Sequence, residues 1–294
     1  MPLATTLEVV RAARDDGYAV AAVNVVDDVS VRAVVAAAEQ VSSPVILQTS
    51  VKTVRSMGST LLESTVRTVA EAASVPVTLH LDHCPDRAVI TETLDAGWSS
   101  VLFDASDRGY DEALRETTEV VAEAHAVGAS VECEIENITG VEDDVGSDEE
   151  MEPYDVERLV HFAHASGADL LAPALGTAHG MYKTAPRLRF DRARELRGLT
   201  DLPLVLHGGT GLTAEDFATF IDAGVAKINV STALKLAYTS SAGAYLEEAE
   251  RTGKHEPIKL LDAVFDGVRE AIAEHLLLFR CEGRAASATG RAGA

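Results

Sequence analysis

The chain has 294 residues, a formal net charge of −22 and 47% hydrophobic residues. This length suits one α/β barrel, a fold that typically takes about 250 residues. The acidic charge argues against nucleic acid and anionic membranes as partners, because both bind basic surfaces. Any anionic substrate must therefore be held by a locally positive site. With three cysteines, no disulfide framework and no segment that reads as a signal peptide or membrane span, the sequence predicts a cytoplasmic protein.

Helical and strand patterns alternate along most of the chain. Short apolar runs predict eight strands at Tyr18–Val26, Pro44–Thr49, Val75–Asp82, Ser99–Asp104, Ser130–Ile135, Ala168–Leu175, Pro203–Leu206 and Val225–Val230. Helical spacing predicts helices at Thr6–Asp16, Val29–Val41, Thr60–Ser74, Asp86–Ala96, Asp111–Val127, Val156–Ser166 and Thr213–Ala223. This alternation predicts an α/β fold, a closed parallel (β/α)8 TIM barrel. The strands are nearly continuous apolar runs, as expected when both faces of the sheet are covered.

Two regions depart from this pattern. The segment Glu136–Pro153, reading ENITGVEDDVGSDEEMEP, is too long and too acidic for an ordinary connection, and we interpret it as a mobile active-site lid. After the eighth strand, helices at Ala242–Thr252 and Lys259–Phe279 extend the barrel as a C-terminal helical extension. Residues 1–282 are thus expected to form a single barrel domain, followed by a disordered tail at 283–294 of small and polar residues.

Three histidines follow apolar runs where strands are predicted to end. His83 closes VTLHLDH, His179 lies in APALGTAHG and His207 lies in LPLVLHGG. Any one of them alone would more often be a core residue than a ligand. Because barrel active sites lie at the carboxyl ends of the strands, all three together favour a shared divalent metal, and imidazoles there suit a catalytic zinc with an open position. Asp82, which precedes His83, is the predicted proton-transfer group.

Further polar residues lie at the same predicted strand ends. Asp104 and Glu134 end neighbouring strands, where they could bind a second cation or only fasten loops. After the seventh strand come Gly208, Gly209, Thr210 and Gly211, at the place where barrels bind phosphate on backbone N–H groups and a helix N-terminus. After the eighth strand, Asn229, Val230, Ser231 and Thr232 offer more donors, and Lys183 offers a positive charge near His179.

The motifs HLDHCPD, GVEDD, GTAHGMYK, HGGTG and KINVST occur in a characteristic order. In order and spacing the chain resembles the class II, metal-dependent fructose-bisphosphate aldolases, a family that includes tagatose-bisphosphate aldolases, from about Asn24 to Phe279. The resemblance implies that Asp82 is the catalytic proton donor and acceptor. It also implies a catalytic Zn²⁺ held by His83, His179 and His207, and a second divalent or monovalent cation at Asp104 and Glu134.

The same resemblance implies the roles of other residues. The ketose phosphate site is matched by Gly180, Gly208, Gly209 and Thr210, and the run at the other end of the substrate is matched by Asn229 to Thr232. The residues near the enediolate are matched by Asn24 and Ser50. A second acid/base in the lid is matched by Glu142. The implied activity is reversible cleavage of a ketose bisphosphate into dihydroxyacetone phosphate and glyceraldehyde 3-phosphate through a zinc-stabilised enediolate. The substrate that the resemblance favours most is fructose-1,6-bisphosphate. A homodimer or homotetramer is implied as well.

Two positions depart from the family pattern. Glu136 stands where relatives commonly have glycine, which predicts a stiffer and more highly charged lid. Ser231 stands where fructose-specific relatives often have aspartate and tagatose-type relatives have alanine, so tagatose-1,6-bisphosphate or a deoxy-keto-acid phosphate remains an alternative substrate. Two other hypotheses are a sugar-phosphate sensor on the same barrel and a metal-dependent lyase for an unphosphorylated keto acid. The acid/base residues Asp82 and Glu142 argue against the sensor, and the phosphate motifs argue against the lyase.

Overall fold

The computed structural model describes residues 3–138, 140–142, 145–147, 152–180 and 186–286. Its strands are β1 (Val20–Asn24), β2 (Val45–Ser50), β3 (Val77–Cys84), β4 (Ser100–Asp104), β5 (Ser130–Glu134), β6 (Gly140–Glu142), β7 (Val145–Ser147), β8 (Leu170–Leu171), β9 (Leu204–Leu206) and β10 (Val225–Val230). All except β6 and β7 form a closed parallel barrel in the order β1-β10-β9-β8-β5-β4-β3-β2. The predicted TIM barrel is confirmed. Strands β6 and β7 pair separately as an antiparallel hairpin.

Helices follow the strands around the barrel. They are α1 (Thr6–Asp16), α2 (Asp28–Gln40), α3 (Val51–Met57), α4 (Ser59–Ala72), α5 (Arg87–Asp95), α6 (Tyr110–Ala126), α7 (Val156–Ser166), α8 (Phe190–Leu199), α9 (Ala214–Asp222), α10 (Thr232–Thr252) and α11 (Pro257–Leu278). Local signals set several boundaries, as in α1, where Thr5 and Glu8 form a capping box and Gly17 ends the helix at φ 72°. No helix among the described residues has the length and apolar character needed to cross a membrane.

The sequence missed some helical boundaries. It did not predict α3 or α8, and it began the helix after β10 at Ala242, whereas α10 begins at Thr232. Helix α10 packs chiefly against α11, which in turn packs on both α10 and α2. Helical periodicity was therefore a poor guide to where α10 begins.

The first residues of the predicted tail have defined contacts. The backbone N–H of Gly283 donates to Val41 O at 2.9 Å, and that of Ala285 donates to Ser42 O at 2.8 Å. The chain at 283–286 is therefore fastened to the end of α2, which corrects the predicted start of the tail. Residues 287–294 lie outside the described residues.

The strand register brings the predicted site residues level with one another. Asp104 on β4 is paired with Glu134 on β5, and Ser50 on β2 is paired with Asp82 on β3. All of these residues are buried. Parallel pairing thus gathers polar side chains from distant parts of the sequence at the carboxyl end of the barrel.

Strand β3 contains an irregularity at its carboxyl end. Its pairing with β4 jumps from Leu81↔Val101 to Cys84↔Phe103, and His83 has φ 36°, a region that residues with a side chain rarely adopt. In a regular strand, neighbouring residues point to opposite faces. The bulge changes that alternation and allows Asp82 and His83 to contribute to the same site.

Candidate active site

The three predicted histidine ligands converge at the carboxyl end of the barrel. His83, His179 and His207 each offer a ring nitrogen, and these nitrogens lie within 4.8 Å of one another. The Nε2 atom of His83 is 2.7 Å from Nδ1 of His207. Three imidazoles aimed at one point form a donor set that suits a tetrahedral divalent ion with one open position. The group could therefore hold a metal.

A buried carboxylate fixes the orientation of His207. The Nε2 atom of His207 lies 2.8 Å from Glu132 Oε1, and neither side chain is exposed. Because a carboxylate accepts, the proton lies on Nε2 and Nδ1 keeps its lone pair. Burial, followed by the charges of His83 and Lys227, holds the pKa of His207 well below its ordinary value. His207 thus presents a neutral nitrogen that could bind a metal, in a ring oriented by a carboxylate as in many metal sites.

His179 has unsatisfied polar atoms that a metal would satisfy. Both of its ring nitrogens are buried and make no well-aligned hydrogen bond within the described part of the chain, although the Gly140 backbone interacts with the ring. Burial, followed by the charge of His83, lowers the pKa of His179 to about 3. Unpaired buried polar atoms are costly, so a neutral imidazole in this position fits a ligand better than a core residue.

Asp82 lies beside the histidines and is held by two amides. Its Oδ2 accepts from Asn24 Nδ2 at 2.8 Å, and its Oδ1 accepts from Asn229 Nδ2 at 3.2 Å. Burial alone would raise the pKa of the Asp82 carboxyl, but the imidazoles of His83 and His207 hold that pKa below its ordinary value. Asp82 is therefore a positioned carboxylate that stays ionised and can accept a proton at neutral pH.

A second group of possible ligands adjoins the first. His83, Asp104 and Glu134 offer donor atoms within 4.8 Å of one another. Burial, followed by the negative charge of Asp104, raises the pKa of Glu134 well above its ordinary value, and Glu134 Oε2 lacks a hydrogen-bond partner among the described residues. A cation between the two carboxylates would relieve this repulsion. The geometry therefore allows the predicted second cation position.

Comparison with known proteins agrees with this geometry. A sequence profile described as "Fructose-bisphosphate aldolase class-II" matches residues 4–284. The chain belongs to the class-II fructose-bisphosphate aldolase family. It is 37% identical to a fructose-bisphosphate aldolase of Geobacillus stearothermophilus, over 97% of this chain and 100% of that protein. It is also 37% identical to a probable fructose-bisphosphate aldolase of Bacillus subtilis, over 92% of this chain and 95% of the relative.

Solved structures give the same result. A putative fructose-1,6-bisphosphate aldolase from Coccidioides immitis superimposes with a TM-score of 0.88 at 31% identity, covering 96% of this chain and 98% of the other. The YdjI aldolase from Escherichia coli K12 superimposes with a TM-score of 0.83 at 29% identity, covering 96% and 99%. Both of these proteins are named as aldolases, and the predicted family is confirmed.

Beneath the site of this class-II aldolase lies a polar layer that the sequence did not assign to function. Lys227 is fully buried, with its Nζ 2.9 Å from Glu132 Oε2 and 2.8 Å from Asn229 Oδ1. His80 is also buried, with its Nδ1 2.7 Å from Ser100 Oγ and its Nε2 3.7 Å from Glu132 Oε2, so it belongs to this supporting layer. The available signal was a charged residue within each apolar strand, Lys227 in VAKINV and Glu132 in SVECE.

The glycines after β9 meet a spatial requirement. Gly208 has φ 67°, and a Cβ there would lie 2.4 Å from Ala178 O, in the loop that carries His179. A Cβ on Gly209 would lie 3.1 Å from the Phe217 ring. Gly180 has φ 78° but open space around it. Gly208 and Gly209 therefore allow the close approach of backbone segments at the predicted phosphate site.

The remaining predicted residues differ in their surroundings. Ser231 is buried and its Oγ lacks a hydrogen-bond partner among the described residues. Ser50 Oγ accepts from Thr53 N at 3.5 Å at the start of α3, which gives it a local capping role. Thr210 is half-buried, Val230 is buried and Thr232 begins α10. The backbone of Glu142 lies in β6, and Lys183 lies outside the described residues.

Proposed function

We propose that this chain reversibly cleaves a ketose bisphosphate, with a bound zinc ion and with Asp82 as the proton-transfer group. The first candidate substrate is fructose-1,6-bisphosphate. The observation that carries the proposal is the position of the Asp82 carboxylate. Its Oδ1 lies 3.9 Å from Nε2 of His83, and amides of Asn24 and Asn229 hold its two oxygens. A proton acceptor beside a triple-histidine cluster is what aldol cleavage needs.

The metal would be held by His83, His179 and His207. When bound, zinc supplies a Lewis acid that stabilises the negative charge left on the ketose fragment as the C–C bond breaks. Three features support this assignment: a lone pair on His207 Nδ1, ring nitrogens of His179 without a well-aligned hydrogen bond, and a distance of 2.7 Å between His83 Nε2 and His207 Nδ1. Asp104 and Glu134 are proposed to bind the second cation.

Asp82 takes the proton of the substrate's C4 hydroxyl during cleavage and returns it to the aldehyde oxygen during condensation. Asn24 and Asn229 aim the carboxylate, and Gln48 in turn orients Asn24, whose Oδ1 accepts from Gln48 Nε2 at 2.7 Å. Glu142 is the proposed acid/base at the enediolate carbon of the ketose fragment. This role rests on its motif and on the place of β6 in the chain.

Phosphate binding on a chain of net charge −22 requires local donors. We assign it to the backbone N–H groups of Gly208, Gly209 and Thr210 and to the start of α10. Lys235, half-buried in the first turn of α10, adds a cation that the sequence did not single out. Its positive charge is a minor cause of the lowered pKa of His179, after burial and the charge of His83. Lys183 and Gly180 remain proposed contacts to the ketose phosphate.

Tagatose-1,6-bisphosphate is the second candidate substrate. The two sugars differ in configuration at C4, and the buried Ser231 Oγ without a described partner lies at the end of β10 beside the proposed substrate site. A hydroxyl can donate to a substrate oxygen as alanine cannot, and it lacks the charge of aspartate. The expected homodimer or homotetramer, and the cytoplasmic location, stay predictions.

A coupled cleavage assay tests the proposal. Purified protein is measured with fructose-1,6-bisphosphate, tagatose-1,6-bisphosphate and a deoxy-keto-acid phosphate, before chelation, after chelation and after zinc is restored. We expect cleavage of a ketose bisphosphate that is lost on chelation and restored by zinc. Full activity after exhaustive chelation, or in His179→Ala, would contradict the metal role. Binding of all three sugars without cleavage of any would favour a sensor.

A further inference from the structure

A buried ion pair lies at the base of the active-site loops. The Glu136 side chain is 2% exposed and that of Arg192, in the first turn of α8, is 13% exposed. Glu136 Oε1 accepts from Arg192 Nη2 at 2.7 Å and from Tyr154 N at 2.8 Å. Glu136 Oε2 accepts from Ala174 N at 2.8 Å. The charge of Glu136 thus lies in the interior and is neutralised there, which corrects the prediction that this residue adds charge to a lid.

These contacts join the two ends of the acidic segment. Glu136 precedes residues 137–153, and Tyr154 follows them. Tyr154 is held twice, since its N–H donates to Glu136 and its carbonyl accepts from Arg192 Nη1 at 2.9 Å. The segment that includes β6 and β7 therefore leaves from and returns to one ion pair.

The same ion pair joins the two ends of the loop that carries His179. Ala174 lies just before this loop and donates to Glu136, while Arg192 lies just after it. A backbone hydrogen bond of 2.8 Å from Arg189 N to Leu175 O closes the loop at the same level. One carboxylate thus fastens the ends of both segments.

The two segments also meet at the metal ligand. Gly140, the first residue of β6, has φ 111°, and a Cβ there would lie 2.8 Å from His179 O and 3.0 Å from His179 Cβ. The backbone of β6 is therefore packed directly against His179. A shift of the shared base would move Gly140 and His179 relative to His83 and His207, which belong to β3 and to the chain after β9.

We propose that Glu136 and Arg192 are positioning residues that set the place of His179 and of the β6–β7 hairpin by fastening both loops at one point. Through His179, this inference rests on the proposed metal site. Neither residue touches the reacting atoms. Outer contacts that orient metal ligands typically change metal affinity by about 10- to 100-fold when removed, and we expect an effect of this order.

The test compares Glu136→Gln, Arg192→Met and Arg192→Lys. Glu63→Gln is the matched control, because Glu63 is also a buried glutamate paired with an arginine, Arg67, but within α4 and away from the site. Zinc affinity is measured by competition with a chelator, and kcat and KM are measured separately. We expect Arg192→Met and Glu136→Gln to weaken zinc binding by about 10-fold or more and to lower kcat more than they raise KM. Glu63→Gln should lose stability only.

Two further comparisons separate positioning from general support of the fold. Arg192→Lys, which keeps the charge, should recover part of the zinc affinity, and it stands in for Arg192→Met if that variant does not fold. The zinc affinity of the double variant Glu136→Gln/Arg192→Met should equal that of whichever single variant binds zinc less tightly, because the two residues act as a unit and their effects do not add. Zinc affinity within about two-fold of wild type in both single variants, with only a lower melting temperature, would overturn the proposal.

Hydrogen–deuterium exchange gives a readout that does not depend on zinc or on turnover. The N–H groups of Tyr154 and Ala174, which donate to Glu136, should exchange faster in Arg192→Met, together with peptides covering 136–142 and 172–180. Unchanged exchange there would refute the shared fastening. If the wild type fails to bind zinc or to cleave any ketose bisphosphate but exchange changes as expected, the proposed function fails while the fastening of the loops stands.

Discussion

At the scale of single residues, the site depends on how each side chain is held. Asn24 and Asn229 both direct an amide N–H at Asp82, and the oxygens of these amides accept from Gln48 and Lys227. Since an amide has one donor end and one acceptor end, these outer contacts determine which end faces the carboxylate. The direction of the Asp82 carboxylate is thus set by residues one layer below it, while the neighbouring imidazoles of His83 and His207 keep it ionised.

The first prediction concerns Asp82→Asn. An amide of similar shape should keep the fold and zinc binding but cannot accept the C4 hydroxyl proton, so kcat should fall by about 10²- to 10⁴-fold. Zinc content and single-turnover rates provide the measurement. Loss of zinc together with activity would make Asp82 a ligand instead, and a near-normal rate would remove it from the mechanism.

Ser231 gives a second prediction at this scale. Ser231→Asp should raise the ratio of fructose-1,6-bisphosphate to tagatose-1,6-bisphosphate cleavage, and Ser231→Ala should lower it. A single hydrogen bond contributes about 1 kcal/mol, so each change should be about 5- to 10-fold in the ratio of kcat/KM values. Ser231→Ala should keep the melting temperature of the wild type, because Ser231 Oγ has no described partner to lose, whereas Ser231→Asp should lower it, because a carboxylate at this buried position loses hydration. An unchanged ratio in both would show that C4 is recognised elsewhere.

At the scale of elements, irregular backbone brings the proposed metal ligands together. The bulge in β3 and the positive φ of His83 let adjacent residues share one site, and Gly208 lets the turn after β9 approach the loop of His179. Backbone of this kind is typical of functional sites, where surrounding contacts compensate for its strain. The barrel thus acts as a rigid frame on which a few unusual turns direct the side chains.

Gly208→Ala tests this view. The added Cβ would meet Ala178 O at 2.4 Å, so the turn must shift and take the neighbouring His179 loop with it. We expect weaker zinc binding and a lower melting temperature. Gly17→Ala is the control, since Gly17 has φ 72° with nothing within 4 Å of the new Cβ. It should lose only the roughly 1–2 kcal/mol that a residue with a Cβ costs in this left-handed conformation. Equal effects of the two variants on zinc affinity would contradict the steric argument.

At the scale of the whole molecule, charge is the dominant feature. A net charge of −22 on one chain makes the folded state repel itself more than the expanded unfolded state does. Several acidic residues at the surface are in ion pairs, such as Asp222 with Arg280, but exposed pairs of this kind contribute little. Screening should therefore stabilise the fold on balance.

The resulting prediction is that the urea midpoint of unfolding rises as sodium chloride is increased from about 0.05 M to about 1 M, because the Debye length falls from about 10 Å at 0.1 M to about 3 Å at 1 M. Sucrose at matched osmolality separates screening from general exclusion effects. A midpoint that falls with salt would mean that the ion pairs outweigh the repulsion. The acidic residues 143, 144 and 148–150 lie outside the described residues. Their contribution to the salt response is measured with variants in which they are neutralised.

Much of the fold and site was predictable because the signals are local. Apolar runs and helix ends at Gly17, Gly97 and Gly167 gave the alternation of the barrel, and strand-end polar residues gave His83 and His207. Because parallel strands share their carboxyl ends, placing residues at those ends was enough to expect that they meet. The sequence by itself thus determined the barrel and the convergence of the three histidines, and it supplied Asp82 as the proposed proton-transfer group.

The tertiary structure decided the features that depend on long sequence separations. Glu132 pairs with Lys227 and orients His207, and Glu136 pairs with Arg192, Tyr154 and Ala174. The sequence does not reveal which residues these charges pair with, because partners brought together by barrel closure leave no periodic pattern. The bulge at His83 is likewise set by pairing between strands and not by residue type. Burial with a specific partner, which only the closed barrel creates, turned these residues into parts of the site.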